Sequence, residues 1–225
     1  MKSGKVTAFT GLFILTLFGA ISRATADTTD TQTQSVSSTL TDWNAGLVFD
    51  QFDSSLGTLT GVYIEMSGSA STSIFLNNTS GESSSGTVST RVRWRLSDPS
   101  QTIGTTTATK INMYLPDEDG AAYSLAGGAS TTLGSFAASD SWSQTFTSSP
   151  VFMAFTGAGT ITLTMSTLTG TVQENSGGNT TAVQTTTANG SVSLYYTYDA
   201  VPEPTTALLF AIGGAIVVLG RRKRA

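Results

Sequence analysis

The chain has 225 residues with no cysteine and no histidine. That excludes disulfides, thiolate metal sites, a cysteine nucleophile and a Ser-His-Asp triad, and leaves only carboxylate or Ser-Lys chemistry formally open. Seven of its 11 basic residues (Lys2, Lys5, Arg23, Arg221, Arg222, Lys223 and Arg224) sit at the two ends. Residues 27–200 hold 14 acids against four bases, a net −10, so the body lacks the basic footprint that binding a nucleic acid requires.

Residues 1–26 read as a secretory signal peptide. Lys2 and Lys5 form the positive start, residues 6–21 the apolar stretch, and Ala24-Thr25-Ala26 a small-residue cleavage site. Sec machinery and signal peptidase are the implied partners, and the mature chain begins at Asp27. An uncleaved N-terminal anchor is the alternative, for which Arg23 beside the cleavage site speaks. Residues 27–35 lack apolar side chains and are expected to be loose.

Residues 36–200 then alternate in the manner of strands. Serine and threonine supply 70 residues of the chain and glycine 23, while helix formers are sparse in the body. The clearest strand is 87–96: Val88, Thr90, Val92, Trp94 and Leu96 share one face, and Ser89, Arg91, Arg93 and Arg95 the other. The arginine face reads as a solvated sheet surface balanced by neighbouring acids; an anion or glycan site is the alternative. The same period appears at Val62, Ile64 and Met66; at Ile111, Met113 and Leu115; at Ile161, Leu163 and Met165; and at Val192, Leu194, Tyr196 and Tyr198. Residues 71–76 read as a separate strand, residues 175–179 as a loop, and the apolar run 151–155 as a short strand buried on both faces. The expected fold is all-β, a β-sandwich of jelly-roll type, flanked by an N-terminal signal-peptide helix and a C-terminal transmembrane helix.

No catalytic set stands out. Gly157-Ala158-Gly159 lacks the third glycine and the following helix of a dinucleotide loop. Asp117-Glu118-Asp119 are contiguous and have no distal glutamate at calcium-loop spacing, so they read as a turn. Asp50 with Asp53, or Asp117 with Asp119, read as acidic turns rather than paired glycosidase carboxylates. The expectation is a non-enzymatic protein with no metal and no cofactor.

The last 25 residues have three parts in order. Val201-Pro202-Glu203-Pro204 stays extended, because each proline fixes φ and lacks an amide donor. Residues 205–220 carry no charge, and as a helix they would be about 24 Å long. That is short of a hydrocarbon core of about 30 Å, a difference that snorkelling and local thinning can make up. Arg221, Arg222, Lys223 and Arg224 then hold the end on the cytoplasmic side. This tail resembles the PEP-CTERM sorting signal of Gram-negative bacteria. The resemblance implies that an exosortase, a membrane-embedded thiol transpeptidase-like enzyme, processes the chain near Pro202-Glu203-Pro204; a plain C-terminal anchor is the alternative.

A second resemblance covers roughly residues 36–200. The segments Phe52-Asp53-Ser54-Ser55-Leu56-Gly57-Thr58-Leu59-Thr60-Gly61-Val62, 155–161 and 193–198 look like parts of the choice-of-anchor E domain, a bacterial surface domain without established activity. Together the two resemblances imply an exported protein, anchored transiently in the inner membrane through residues 205–220 and then passed to the cell surface or extracellular matrix. The competing expectation is a carbohydrate-binding module associated with exopolysaccharide. Its stacking platforms would be Trp43, Trp94, Trp142 and the Tyr195-Tyr196-Tyr198 cluster, although Trp94 falls on the face read as buried.

Overall fold

The computed structural model describes residues 26–105 and 108–201. Among them the strands are β1 (Ala26–Thr28), β2 (Gln32–Leu40), β3 (Asn44–Asp50), β4 (Gly57–Asn78), β5 (Ser84–Ser97), β6 (Thr109–Leu115), β7 (Ala121–Leu125) and β8 (Ser130–Phe146). A short helix, α1 (Ser149–Phe155), precedes β9 (Thr160–Gly177) and β10 (Thr180–Ala200). One sheet, A, runs β1-β10-β4-β8, with β2 also on β10; the other, B, runs β3-β9-β5-β6, with β7 also on β5. Every strand pairing is antiparallel. Taking β1 with β2 and β6 with β7 as single strands, the order across A is first, eighth, third, sixth, and across B second, seventh, fourth, fifth. This interleaving of two Greek keys is the jelly roll that the alternation pattern predicts.

Period-two alternation sets the inward faces. Val62, Ile64 and Met66 of β4, Val92, Trp94 and Leu96 of β5, Leu163 and Met165 of β9, and Val192 and Leu194 of β10 are all fully buried between the sheets. Each such side chain contributes about 1.5–3 kcal/mol by leaving water. Polar links also cross this core. Trp94 donates its indole N–H to the Asn189 carbonyl at 3.0 Å. Thr72 shares hydroxyl hydrogen bonds with Thr90 at 3.1 Å and Thr186 at 2.7 Å, so these buried hydroxyls satisfy one another.

Four local expectations are corrected. The two segments around 59–67 and 71–76 are one 22-residue strand, β4, because β10 and β8 pair with it along both edges. Residues 175–179 are mostly strand, and only Gly178 and Asn179 separate β9 from β10. The stretch 27–35 is largely strand as well: β1 and β2 both add to the edge of β10, where ladder hydrogen bonds replace the missing apolar side chains.

The run 151–155 is not a strand but the core of α1. Ser148 sits at the N-cap and Pro150 in the first turn, where a missing N–H costs nothing and where a strand interior would lose a ladder bond. Val151 and Phe155, four apart, are the buried residues of the helix, while Met153 between them is 75% exposed. That spacing places one face of a helix against the core.

Candidate processing junctions and the exposed sheet faces

The two ends of the described chain meet on neighbouring strands. Ala26, Asp27 and Thr28 of β1 lie opposite Asp199, Tyr198 and Thr197 of β10. On its other side β10 stays paired to its last residue, with Ala200 opposite Gly57 and Asp199 opposite Thr58. The Val201 amide then donates to the Leu56 carbonyl at 3.1 Å. Gly57 makes this approach possible: a Cβ there would lie 2.1 Å from the Asp199 carbonyl oxygen. Ordered backbone therefore reaches the residue immediately before Pro202, and Val201 itself is 56% exposed.

Of the residues singled out for processing, the structure places Ala26 and Val201 and brings them to the same end of sheet A. Ala24, Pro202, Glu203, Pro204 and the basic cluster Arg221, Arg222, Lys223 and Arg224 lie outside the described residues, as do the apolar segment 205–220 and the signal peptide up to residue 25. Among the described residues no helix is long and apolar enough to cross a membrane. The holding contacts at Leu56 and Gly57 were missed from sequence, where the pair stood only within the segment resembling the choice-of-anchor E domain.

Two of the acids considered for chemistry, Asp53 and Asp117, hold turns with their carboxylates, while Asp50 is engaged through its backbone. The Asp53 side chain accepts from the Ser55 amide at 2.8 Å, and hydrogen bonds from Ser55 hold its carboxyl below the ordinary range. Asp117 accepts from the Gly120 amide at 2.8 Å and closes its turn. The backbone of Asp50 takes a side-chain clasp from Gln32, and its carbonyl accepts the Tyr196 hydroxyl at 2.8 Å. Burial, helped by the Asp50 charge, pushes the Tyr196 phenol well above its usual value. Among the described residues no three His, Cys, Asp or Glu side chains are grouped to hold a metal ion.

The aromatic side chains do not form an exposed coplanar row. Trp94 is wholly buried; Trp43, Trp142 and Tyr198 are half-buried against the core. Tyr196 is buried and packs edge-on to Phe52 at 5.7 Å, whereas Tyr195 faces outward and stacks on Tyr63 at 4.6 Å. Trp142 is covered by the Lys110 ammonium, 4.5 Å from its ring centre, and the same ammonium donates to the Ile103 carbonyl at 2.9 Å. Burial draws the Lys110 pKa down.

The outward faces are polar in different ways. Sheet A presents hydroxyls, cross-linked at Ser67–Ser191 (2.9 Å) and Ser71–Ser135 (3.0 Å), beside a shallow groove of about 420 Å³ bordered by Ser38, Ser69, Ser71 and Thr187. Sheet B presents Arg91, Arg93 and Arg95, each half-buried. The balancing acids expected beside them are not there: none of the three arginines is ion-paired or hydrogen-bonded through its side chain to another described residue, and the Nε atoms of Arg93 and Arg95 are covered and without a partner.

Residues 200–224 match the model of the PEP-CTERM protein-sorting motif. The match begins at the last residue of β10 and runs through the Pro-Glu-Pro, apolar and basic parts of the tail. No curated protein matches the chain. Among solved structures, that of infectious bursal disease virus Gx strain is similar over 77% of this chain and 37% of its own, at 11% identity and a TM-score of 0.22. The infectious bursal disease virus VP2 subviral particle is similar over 86% of this chain and 50% of its own, at 10% identity and a TM-score of 0.20. The chain thus spans half or less of these structures, and likeness this faint carries no functional information.

Proposed function

We propose that this chain is an exported, non-enzymatic surface or extracellular-matrix protein, sorted through its C-terminal PEP-CTERM motif and processed by an exosortase. In this reading Sec machinery delivers it and signal peptidase cuts after Ala26. The segment 205–220 then holds it in the inner membrane while Val201-Pro202-Glu203-Pro204 is presented to the enzyme. The observation that carries the reading is the motif at 200–224, joined directly to the end of β10. A jelly roll in which the Asp53 and Asp117 carboxylates hold turns supports cargo rather than catalyst, and the likeness of residues 36–200 to the choice-of-anchor E domain fits the same role.

Intact mass of the protein from its native cells, fractionated into inner membrane, surface and medium, tests this. The expected species begins at Asp27, ends near Pro202 to Pro204 and lies outside the inner membrane; the triple variant P202A/E203A/P204A stays unprocessed. A wild-type mass running to Ala225 in the inner membrane would overturn the sorting reading.

A further inference from the structure

β5 lies between β9 and β6, so its outward face is the middle of sheet B rather than an edge. Arg91, Arg93 and Arg95 point the same way from alternate positions, and at about 3.4 Å per residue the row repeats roughly every 7 Å. Opposite them on β6 stand Tyr114, Asn112 and Thr109, and on β9 Gly170, Leu168 and Ser166. None is acidic, and a Cβ on Gly170 would meet nothing within 4 Å, so the ground beside Arg91 is open. The nearest acids lie off the ends of the row: Glu118, Asp119 and Glu174 border a cleft with Thr87 and Ser89, and none of them is bonded to Arg91. Glu174 lies opposite Thr87, four residues or about 13 Å along β5 from Arg91. Asp42, which borders the cleft beside Arg95, already accepts from the Thr169 amide at 2.7 Å and hydroxyl at 3.1 Å.

Three unpaired cations on one strand of a body with net charge −10 call for an explanation, because a surface arginine in such a body has acids to choose from. In two of them the Nε is covered, so the groups left to meet a ligand are the terminal Nη donors of the guanidinium. A carboxylate taking the paired terminal Nη donors of the guanidinium fork satisfies both charge and geometry. The row is straight, with a repeat of roughly 7 Å, which suits a linear polyanion of well-separated charges. Duplex DNA, with a charge about every 1.7 Å of axis, would press surplus phosphates onto the acids at either end of the row. The flanks mix amide, hydroxyl and phenol groups with the apolar Leu168, a pairing of polar donors and apolar ring-facing surface that suits a sugar polymer.

We propose that the outward face of β5, through Arg91, Arg93 and Arg95, binds a linear carboxylated polysaccharide. The site is independent of the sorting reading: a chain that escapes processing still carries it. The test uses the full chain in neutral detergent and measures its affinity for polygalacturonate, neutral dextran and duplex DNA over a range of salt. Polygalacturonate binds, the logarithm of its affinity falling linearly with the logarithm of salt concentration, and dextran does not. R91Q/R93Q/R95Q weakens binding roughly tenfold or more, in line with the loss of charge-assisted hydrogen bonds, with its thermal unfolding measured alongside as a check on folding. R91K/R93K/R95K, which keeps the charges, retains the salt dependence at lower affinity, and decides the matter if the glutamine variant does not fold. Absent polygalacturonate binding, equal binding of dextran, tighter binding of DNA, or an unchanged affinity in the folded glutamine variant each overturns the proposal.

Discussion

The indole N–H of Trp94 on sheet B reaches the carbonyl of Asn189 on sheet A at 3.0 Å. It lands where the β10–β2 ladder shifts register between Ala188 and Gly190. The ring fits only because Gly68 lies beneath it: a Cβ at Gly68 would sit 2.7 Å from Trp94 Cε2. One side chain therefore fixes both the spacing of the sheets and the identity of a residue on the opposite strand. W94F keeps an aromatic ring but leaves the Asn189 carbonyl without its donor, at a cost of about 1–3 kcal/mol. G68A forces the ring to move and costs a similar amount, about 1–3 kcal/mol. Denaturant unfolding of the two variants checks both, and a neutral G68A would show that the core has slack at this point.

The hydroxyl link among Thr72, Thr90 and Thr186 has a distinct signature. T72V alone leaves two buried hydroxyls short of a partner, Thr90 being wholly enclosed, and is expected to cost about 1–3 kcal/mol. T72V/T90V/T186V removes the unmet groups together with the link and should cost less than the three single changes summed. Additive losses would mean that the three hydroxyls act independently.

Tyr196 makes stability fall in alkali. Its phenol is neutral in the fold and its pKa is raised, first by burial and then by Asp50. The unfolded chain ionises this group near pH 10, while the folded chain still holds the proton. Above that pH the unfolded state binds fewer protons, so its contribution to stability, complete below pH 10, declines as pH climbs towards the folded value. Y196F loses the hydrogen bond to the Asp50 carbonyl, about 0.5–1.5 kcal/mol at neutral pH, and flattens the decline. Stability measured between pH 8 and pH 11 in both proteins reads this directly.

Gly57 governs how firmly the domain is closed beside the sorting motif. In G57A the new Cβ meets the Asp199 carbonyl oxygen, with a local loss of about 1–3 kcal/mol. Hydrogen exchange should quicken at Ala200 and Val201 while the amides of β5 keep their protection. Exchange unchanged at Val201 would show that its bond to Leu56 does not depend on the glycine.

What the sequence determined by itself was face and class. From Val88 to Leu96 of β5 every second residue except Thr90 is apolar, as it is from Val192 to Tyr198 of β10, and alternation is a local property of extended chain, so Val92, Trp94, Leu194 and Tyr196 could be placed inside before any partner was known. The three successive parts of the tail were equally legible in the sequence, because a helix-barring Pro-Glu-Pro, an uncharged run and a basic end each act through their own residues.

The tertiary structure decided length, partners and pairing. Gly68 to Ser73 has little apolar character, yet it is continuous strand because β8 and β10 bond to it on both sides. The polar residues of β2 became strand because the edge of β10 lay open to them. Val151–Phe155 went the other way: an apolar run fits a helix or a strand, and Pro150 was the one local cue against the strand. The arginines of β5 were rightly placed on the outer face, but their lack of acidic neighbours could not be read. Which side chains stand beside them is set by the register of β6 and β9, and register depends on residues far away in the chain.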